Sequence, residues 1–381
     1  MEDVVVIEAV RTPLGKRDGG FKDIRPDELA AQVLCELLRR SAVDQNEIED
    51  LIIGCVTQVG EQGWNVARLA GLLAGLPVSV PAITVNRMCG SGQQSVHFAS
   101  QAILAGDMDV VIAGGVESMS RVKMGSDGKD FSPLLLKRYD LVWQGISAEM
   151  MAEKWKLDRK ELDEFSLHSH HKALRAIFEK RYQRETFPVQ ASSNGSSVLV
   201  SADEGPRADT SLDKLAALKA AFKQGGVVTA GNSSQISDGA ACVLLMSSSK
   251  ARALGLKPRA RIISRVVLGS DPVLMLDGVI GATQKALARV GLSAADIDVF
   301  EINEAFACVV LAWAKEIQPS MDRVNPNGGS IALGHPLGAS GTRMFVSLLH
   351  ELERQDARYG LQTMCIGHGM ATATIIERLQ N

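Results

Sequence analysis

The chain has 381 residues, 46% of them hydrophobic and 22% charged, with 41 Lys and Arg against 44 Asp and Glu for a formal net charge of −3. That length exceeds a usual single domain, and the composition is that of a globular protein with a large core. No basic run and no apolar run of spanning length stands out, so neither nucleic acid nor membrane is an expected partner.

In chain order, "MEDVVVIEAV" mixes acidic side chains with a β-branched run over 4–10 and reads as a strand, not as a signal or transit peptide. The last residues, "ERLQN", carry no peroxisomal address, so a cytoplasmic location is the expectation. A helix pattern over 27–43 precedes a strand in "DLIIGCV" (50–56), and another over 91–106 precedes "DVVIAGGVES" (109–118). Strands alternating with helices, each bounded by Gly or Pro, predict an α/β layered fold. A long insertion over 118–237 follows, with a charged helix pattern at 158–182, a polar loop at 190–197 and the segment "TSLDKLAALKAAFK" at 210–223. It reads as a loop domain that covers one face and holds part of a ligand. "TAGNSSQISDGAA" (229–241) is small and polar enough to let a thin ligand arm pass, or it is simply the loop into "ACVLLM". Residues 251–262 read as a linker.

The first unit then repeats. "AVDQNEIEDLIIGCV" (42–56) is echoed by "LSAADIDVFEINEA" (292–305), "CGSGQQSVHFASQAI" (89–103) by "HPLGASGTRMFVSLLHEL" (335–352), and "MDVVIAGGVES" (108–118) by "GLQTMCIGHGMATATII" (360–376). The pairs keep their order at a spacing of about 250 residues, the mark of a duplicated unit. Pseudo-twofold packing would bring the two glycine-rich helix starts together, Cys89 at one and His335 at the other.

The six cysteines (35, 55, 89, 242, 308 and 365) are far apart and form no CxxC pair, so neither a disulfide frame nor a zinc site is expected. Cys35, Cys55, Cys242 and Cys308 fall within apolar strand or helix patterns and read as structural. Cys89 differs: "NRMCGSGQQ" sets it beside three small residues at a helix start, where the helix dipole and backbone N–H groups would lower its pKa and make it a nucleophile. The alternative is a small buried residue at a tight turn. His335, amid the glycines and prolines of "NPNGGSIALGHPLGASGTR" (325–343), is the natural base for that thiol, or else a helix-capping polar residue. Cys365 enters a Gly-X-Gly turn after an apolar strand, where α/β proteins place their chemistry, and a core cysteine fits the place equally well. Asn303 in "EINEAFA" is either a helix N-cap or an amide that holds a water or an oxyanion. His168 and His171 share a helix face but lack a third ligand nearby, so no metal is expected. "AGGVES" and "CGSGQQ" do not have the spacing of a dinucleotide fingerprint.

Taken together, "NRMCGSG", "AGGVESMS", "SDGAA", "NEAFA", "NGGSIALGHPLGASG" and "MCIG" occur in the order found in thiolases, and the resemblance runs from "IEAVRTPLGK" to "TATIIERL". It implies two similar core domains of αβαβα layering, 1–117 with 238–256 and 257–381, and a loop domain over 118–237. It implies that Cys89 carries the acyl group, that His335 activates it, and that Cys365 is the acid/base at the Cα of acetyl-CoA. A water on Asn303 would join His335 in one oxyanion hole, and the N–H groups of Cys89 and Gly367 would form the other. Ser234 matches a serine near the pantetheine arm, and Lys219 falls where a basic residue lies beside the CoA nucleotide.

The activity implied is CoA-dependent cleavage of a 3-ketoacyl-CoA, with CoA as co-substrate, no permanent cofactor and no metal. A homodimer or homotetramer is implied, with other β-oxidation enzymes as further partners. Synthesis of acetoacetyl-CoA is the same chemistry reversed. A decarboxylating ketoacyl synthase and a non-catalytic acyl-CoA binding protein are the other readings, and a second cysteine at 365 speaks against the synthase. Trp143-Gln144-Gly145 replaces the His-Met of many biosynthetic members, and "CVTQVGEQ" and "SSQISDGAA" resemble degradative thiolases, especially bacterial ones acting on steroid side chains. Gly367-His368-Gly369 departs from the usual run of small residues in the last loop.

Overall fold

The computed structural model describes residues 2–193 and 196–380. The first half runs β1 (Val4–Arg11), β2 (Gly15–Lys16), α1 (Pro26–Ser41), β3 (Asp50–Gly54), α2 (Val66–Leu73), β4 (Ala82–Val85), α3 (Ser91–Ala105) and β5 (Val110–Ser118). The insertion holds α4 (Pro133–Leu136), α5 (Gln144–Lys154), α6 (Arg159–Phe178), β6 (Val189–Ser193), β7 (Ser196–Val200) and α7 (Leu212–Ala216). Then come β8 (Ser237–Ser247) and α8 (Ser248–Ala253), and the second half: β9 (Ala260–Gly269), α9 (Gly278–Val290), β10 (Val299–Ile302), α10 (Ala307–Ile317), α11 (Ser330–Leu333), α12 (Leu337–Arg354), β11 (Tyr359–Ile366) and β12 (Met370–Arg378).

The sequence repeat is written into the sheet. Its strand order is β10-β11-β12-β9-β1-β8-β5-β3-β4; inside the extra edge strand β4 it reads the same from either end once β1 is matched to β9, β3 to β10, β5 to β11 and β8 to β12. In each half the inner pair is parallel (β3 with β5, β10 with β11) and the returning strand antiparallel (β8 on β5, β12 on β11). The halves join where Val5 pairs with Arg261 and Val6 with Ala260.

Alternation along the strands builds the layers. On β5, Val110 and Ile112 face α1 and α2, while Val111 and Ala113 face α3 and α12. Strands covered on both faces read as continuous apolar runs, as "VVIAGGV" and "ACVLLM" do. The central helix α12 is buried over every residue from Leu337 to Leu352, which explains its small-residue start and apolar middle. With α3 it packs against strands of both halves, and α9 and α10 close the outer face of the second half.

Local signals set the boundaries. The charged helix α6 opens on a full capping box between Asp158 and Glu161. The expected polar loop over 190–197 is instead a hairpin of β6 and β7, because Val189 and Ala191 bury under α1 while polar side chains point out; residues 194–195 lie outside the described residues. Cys35, expected to be structural, is exposed on α1. Among the described residues no helix is long and apolar enough to cross a membrane.

Candidate active site

The turn before α3 is tightly specified. Met88 takes φ 46°, in the left-handed region that a non-glycine residue seldom adopts. Ser91 braces the turn: its hydroxyl donates to Met88 O at 2.6 Å and accepts from Arg87 N at 2.9 Å. Asn86 Oδ1 accepts from Met88 N at 2.8 Å. Cys89 therefore projects from a strained elbow, one residue ahead of the N-cap Gly90.

The thiol is buried, 7% exposed, among Val56, Met119, Leu337, Met364 and Ile366. Burial pushes its pKa up to about 11, against the Gly367 N–H and the Gln144 amide, both of which face the sulfur and favour the thiolate. The sequence argument for a lowered pKa is thus corrected. Removing the thiolate from water outweighs the helix start, and the charge must form together with a proton transfer.

His335 occupies the matching place in the second half. Gly334 before it has φ 112°, and a Cβ there would lie 2.0 Å from Ser237 Oγ, so only glycine makes this approach. The His335 N–H donates to Gln235 O at 3.0 Å, and Gln235 Nε2 donates to Ile331 O and Ala332 O, both at 2.9 Å. Segment 229–241 is therefore a brace for the histidine as well as a surface.

The hydrogen-bond network assigns the His335 tautomer. Ser340 Oγ donates to Pro336 O at 2.8 Å, so its lone pair accepts from His335 Nδ1–H at 2.5 Å. Nε2 is then bare, and it faces Asn303 Nδ2 at 3.3 Å. Burial, with the Arg343 charge adding to it, pushes the imidazole pKa down to about 3, so His335 is neutral and free to accept a proton.

Asn303 is not a helix N-cap: α10 starts at Ala307 with Phe306 as its cap. The Asn303 side chain is fully buried and accepts from Ser330 Oγ at 2.6 Å, so its amide, not its oxygen, is turned toward His335. Its backbone N–H donates to Thr363 O at 3.0 Å, tying it to the strand that carries Cys365 two residues on. Cys365 is 1% exposed, and burial together with the nearby charge of Cys89 raises its pKa strongly.

The structure thus gathers Cys89, Asn303, His335 and the Cys365–Gly367 pair from four segments. Gly367 is buried at the turn after β11, while His368 beside it points outward, edge-on to Phe131 at 5.6 Å between ring centres. Ser234 sits half-buried at the margin, its N–H on Ala305 O at 2.9 Å. Lys219 is exposed on the insertion after α7 and is not drawn into this centre. His170 of the His-rich run is committed to structure: its Nδ1 accepts from Arg207 N at 3.2 Å.

Two contributors were not assigned to the site from the sequence. Gln144 opens α5, and its Nε2 lies 3.0 Å from where a Cβ on Gly367 would be. Glu117, in "AGGVES", is fully buried and accepts from Val56 N (2.9 Å), Thr57 N (3.1 Å), Gln62 Nε2 (2.7 Å) and Gly338 N (2.8 Å). It clamps the end of β3 to the first turn of α12. An invariable local signal for either is lacking, because each acts across more than fifty residues of chain.

Chemically, the site offers a buried thiol with N–H donors, a neutral imidazole with a bare nitrogen, an oriented amide and a second thiol. That set suits nucleophilic attack on a carbonyl followed by proton delivery to carbon.

Comparison with known proteins agrees in chain order and extent. Two family models match, "Thiolase, N-terminal domain" over residues 4–249 and "Thiolase, C-terminal domain" over 256–378. The steroid 3-ketoacyl-CoA thiolase FadA6 of Mycobacterium tuberculosis is 47% identical over 100% of this chain and 95% of its own. The 3-ketoacyl-CoA thiolase of Aeromonas salmonicida is 45% identical over 100% of both. The crystal structure of the Bacillus anthracis acetyl-CoA acetyltransferase superposes with a TM-score of 0.93 at 39% identity, over 100% of this chain and 99% of that one.

Proposed function

The chain belongs to the thiolase family, and on that premise we propose that it is a 3-ketoacyl-CoA thiolase, cleaving its substrate with CoA through an acyl-enzyme on Cys89. His335 Nε2 takes the Cys89 proton as the sulfur attacks the C3 ketone. The C2–C3 bond then breaks, its electron pair passes into the enolate of acetyl-CoA, and Cys365 gives its proton to C2. Free CoA loses its thiol proton to Cys365 and attacks the thioester. Cys89 departs and recovers the proton held by His335. The enolate is a poor leaving group, and a water held by Asn303 together with the protonated His335 would carry its charge as it develops. The N–H groups of Cys89 and Gly367 serve the acyl oxygen. Two thiols suit this cycle because a sulfur ester is close in energy to the CoA thioester that replaces it, whereas an oxygen ester would be a trap.

The observation that carries this reading is the second thiol: Cys89 packs against Met364 and Ile366, the residues on either side of the buried Cys365. The direction of cleavage rests on the relatives, since those named 3-ketoacyl-CoA thiolase are 45% and 47% identical and the acetyltransferase 39%. The proposal includes the division into cores 1–117 with 238–256 and 257–381 around a loop domain at 118–237. It also includes Ser234 and Lys219 along the CoA arm, CoA as co-substrate without a resident cofactor, and a cytoplasmic homodimer or homotetramer. Among substrates it favours longer or ring-bearing acyl groups. The test is a panel of 3-ketoacyl-CoAs assayed, with free CoA present, by loss of the substrate enolate absorbance. No cleavage of any member would overturn the reading.

A further inference from the structure

Next to the site lies a buried cation. Arg343 is 1% exposed in the middle of α12, and its Nη1 sits 3.6 Å from Glu301 at 1–2% side-chain exposure. Among the described residues, Arg343 Nε and Nη1 and Glu301 Oε1 have no hydrogen-bond partner. Burying a guanidinium with idle donors is costly, and an apolar side chain would pack there at less expense. The one bond the guanidinium does make points at the site: Nη2 donates to Ser330 Oγ at 3.5 Å, and Ser330 Oγ donates to Asn303 Oδ1 at 2.6 Å.

We propose that Arg343, held by Glu301, is a positioning residue for the proposed thiolase reaction, acting through Ser330 to fix the Asn303 amide with Nδ2 toward His335. An amide can turn end for end with almost no change of shape, so packing alone does not choose its orientation. Arg343 chooses it, because a guanidinium can only donate. Its N–H takes one of the two lone pairs of the Ser330 hydroxyl, and a reversed amide donating to the other would leave the hydroxyl proton without the acceptor it has in Asn303 Oδ1. With that oxygen engaged, Nδ2 faces His335 Nε2 at 3.3 Å. The reversed amide would set its oxygen against a bare nitrogen, two acceptors face to face, and would remove a donor from the oxyanion site. Direction thus runs Arg343 to Ser330 to Asn303 to His335, and from His335 Nδ1–H to Ser340 and Pro336 O.

This inference rests on the thiolase reading, and steady-state thiolysis separates the two. Ser330→Ala breaks the chain with the least change in volume. Arg343→Met with Glu301→Gln removes the guanidinium together with the carboxyl beside it, which burial pushes up to about 8, so that neither is stranded, and Arg343→Lys keeps the positive charge. The expected result is a fall in kcat of about 10- to 100-fold for Ser330→Ala and for the charge-free pair, with KM within about twofold. Arg343→Lys recovers part of that loss. In an Asn303→Ala background the same changes cost less than about twofold more, because the residue they act through is gone. A Ser330→Ala enzyme with wild-type kcat, or losses that multiply in full onto Asn303→Ala, would overturn the inference while leaving the thiolase reading intact. A wild-type protein that cleaves no 3-ketoacyl-CoA would remove both.

Discussion

Cys89 and His335 hold equivalent positions in the two halves of the fold, each two residues ahead of the first residue of a central helix, Ser91 of α3 and Leu337 of α12. The first turns of those helices touch through glycine: a Cβ on Gly92 would lie 2.6 Å from Gly338 O and 2.7 Å from Thr342 Oγ1, while one on Gly338 would lie 2.7 Å from Cys55 Cα beyond β3. Close approach of the two helix starts brings the segment after His335 against Cys89, where Leu337 packs in the same cluster as the thiol.

Gly338→Ala follows from that contact. The added methyl meets backbone, Val116 O at 2.6 Å as well as Cys55 Cα, and backbone there cannot yield without moving β5 or α12. The variant is expected to lose about 1–3 kcal/mol in denaturant unfolding, with activity lowered as His335 is displaced. A wild-type midpoint would contradict the close packing.

The two thiols are separable by acylation. Cys89→Ala should lower thiolysis by about 10⁴-fold or more and show no acyl adduct by intact-mass spectrometry. Cys365→Ala should still take an acyl group from a simple acyl-CoA onto Cys89, yet cleave 3-ketoacyl-CoA at least about 10²-fold more slowly, since the proton for carbon is missing. Equal loss of acylation in both variants would count against distinct roles.

The pH dependence of alkylation reads the Cys89 environment directly. Iodoacetamide needs the thiolate, and with the thiol pushed up to about 11 the thiolate fraction climbs tenfold per pH unit through the range 7 to 10. His335, pushed down to about 3, stays neutral throughout, so no inflection near 6.5 is expected. A rate already level by pH 8 would mean that the helix start outweighs burial after all.

Gln144→Leu removes an amide that faces the Cys89 sulfur. A hydrogen bond to a charged group is worth about 1.5–3 kcal/mol, so alkylation of Cys89 at pH 8 should slow by about tenfold or more. Unchanged alkylation would show that the amide serves substrate alone.

Much of the centre was legible because each reactive residue carries a local mark. Cys89 and His335 stand in glycine-rich runs before helices, and Cys365 stands between an apolar strand and a glycine turn. The duplication was legible too, and it reappears as the matched order of four strands in each half, with β4 added at one edge. Asn303 was ambiguous on local grounds, since an amide after a strand caps a helix as readily as it serves a site. Only the start of α10 at Ala307 and the bond to His335 resolve it. Gln144, noted only within Trp143-Gln144-Gly145, and Glu117 were not assigned to the centre because the groups they meet lie more than fifty positions away in sequence and leave no pattern in their own neighbourhoods.

By itself, the order of residues determined the repeated α/β unit, the family likeness and which side chains are chemically able to act, because strand alternation, helix periodicity and glycine turns are properties of short stretches. The tertiary structure decided protonation and direction: a thiol raised by burial, an imidazole kept neutral, an amide turned one way by a chain of donors that begins at Arg343. Those depend on how far water is excluded and on which donor meets which acceptor. Both are set by the whole packed chain rather than by any segment of it.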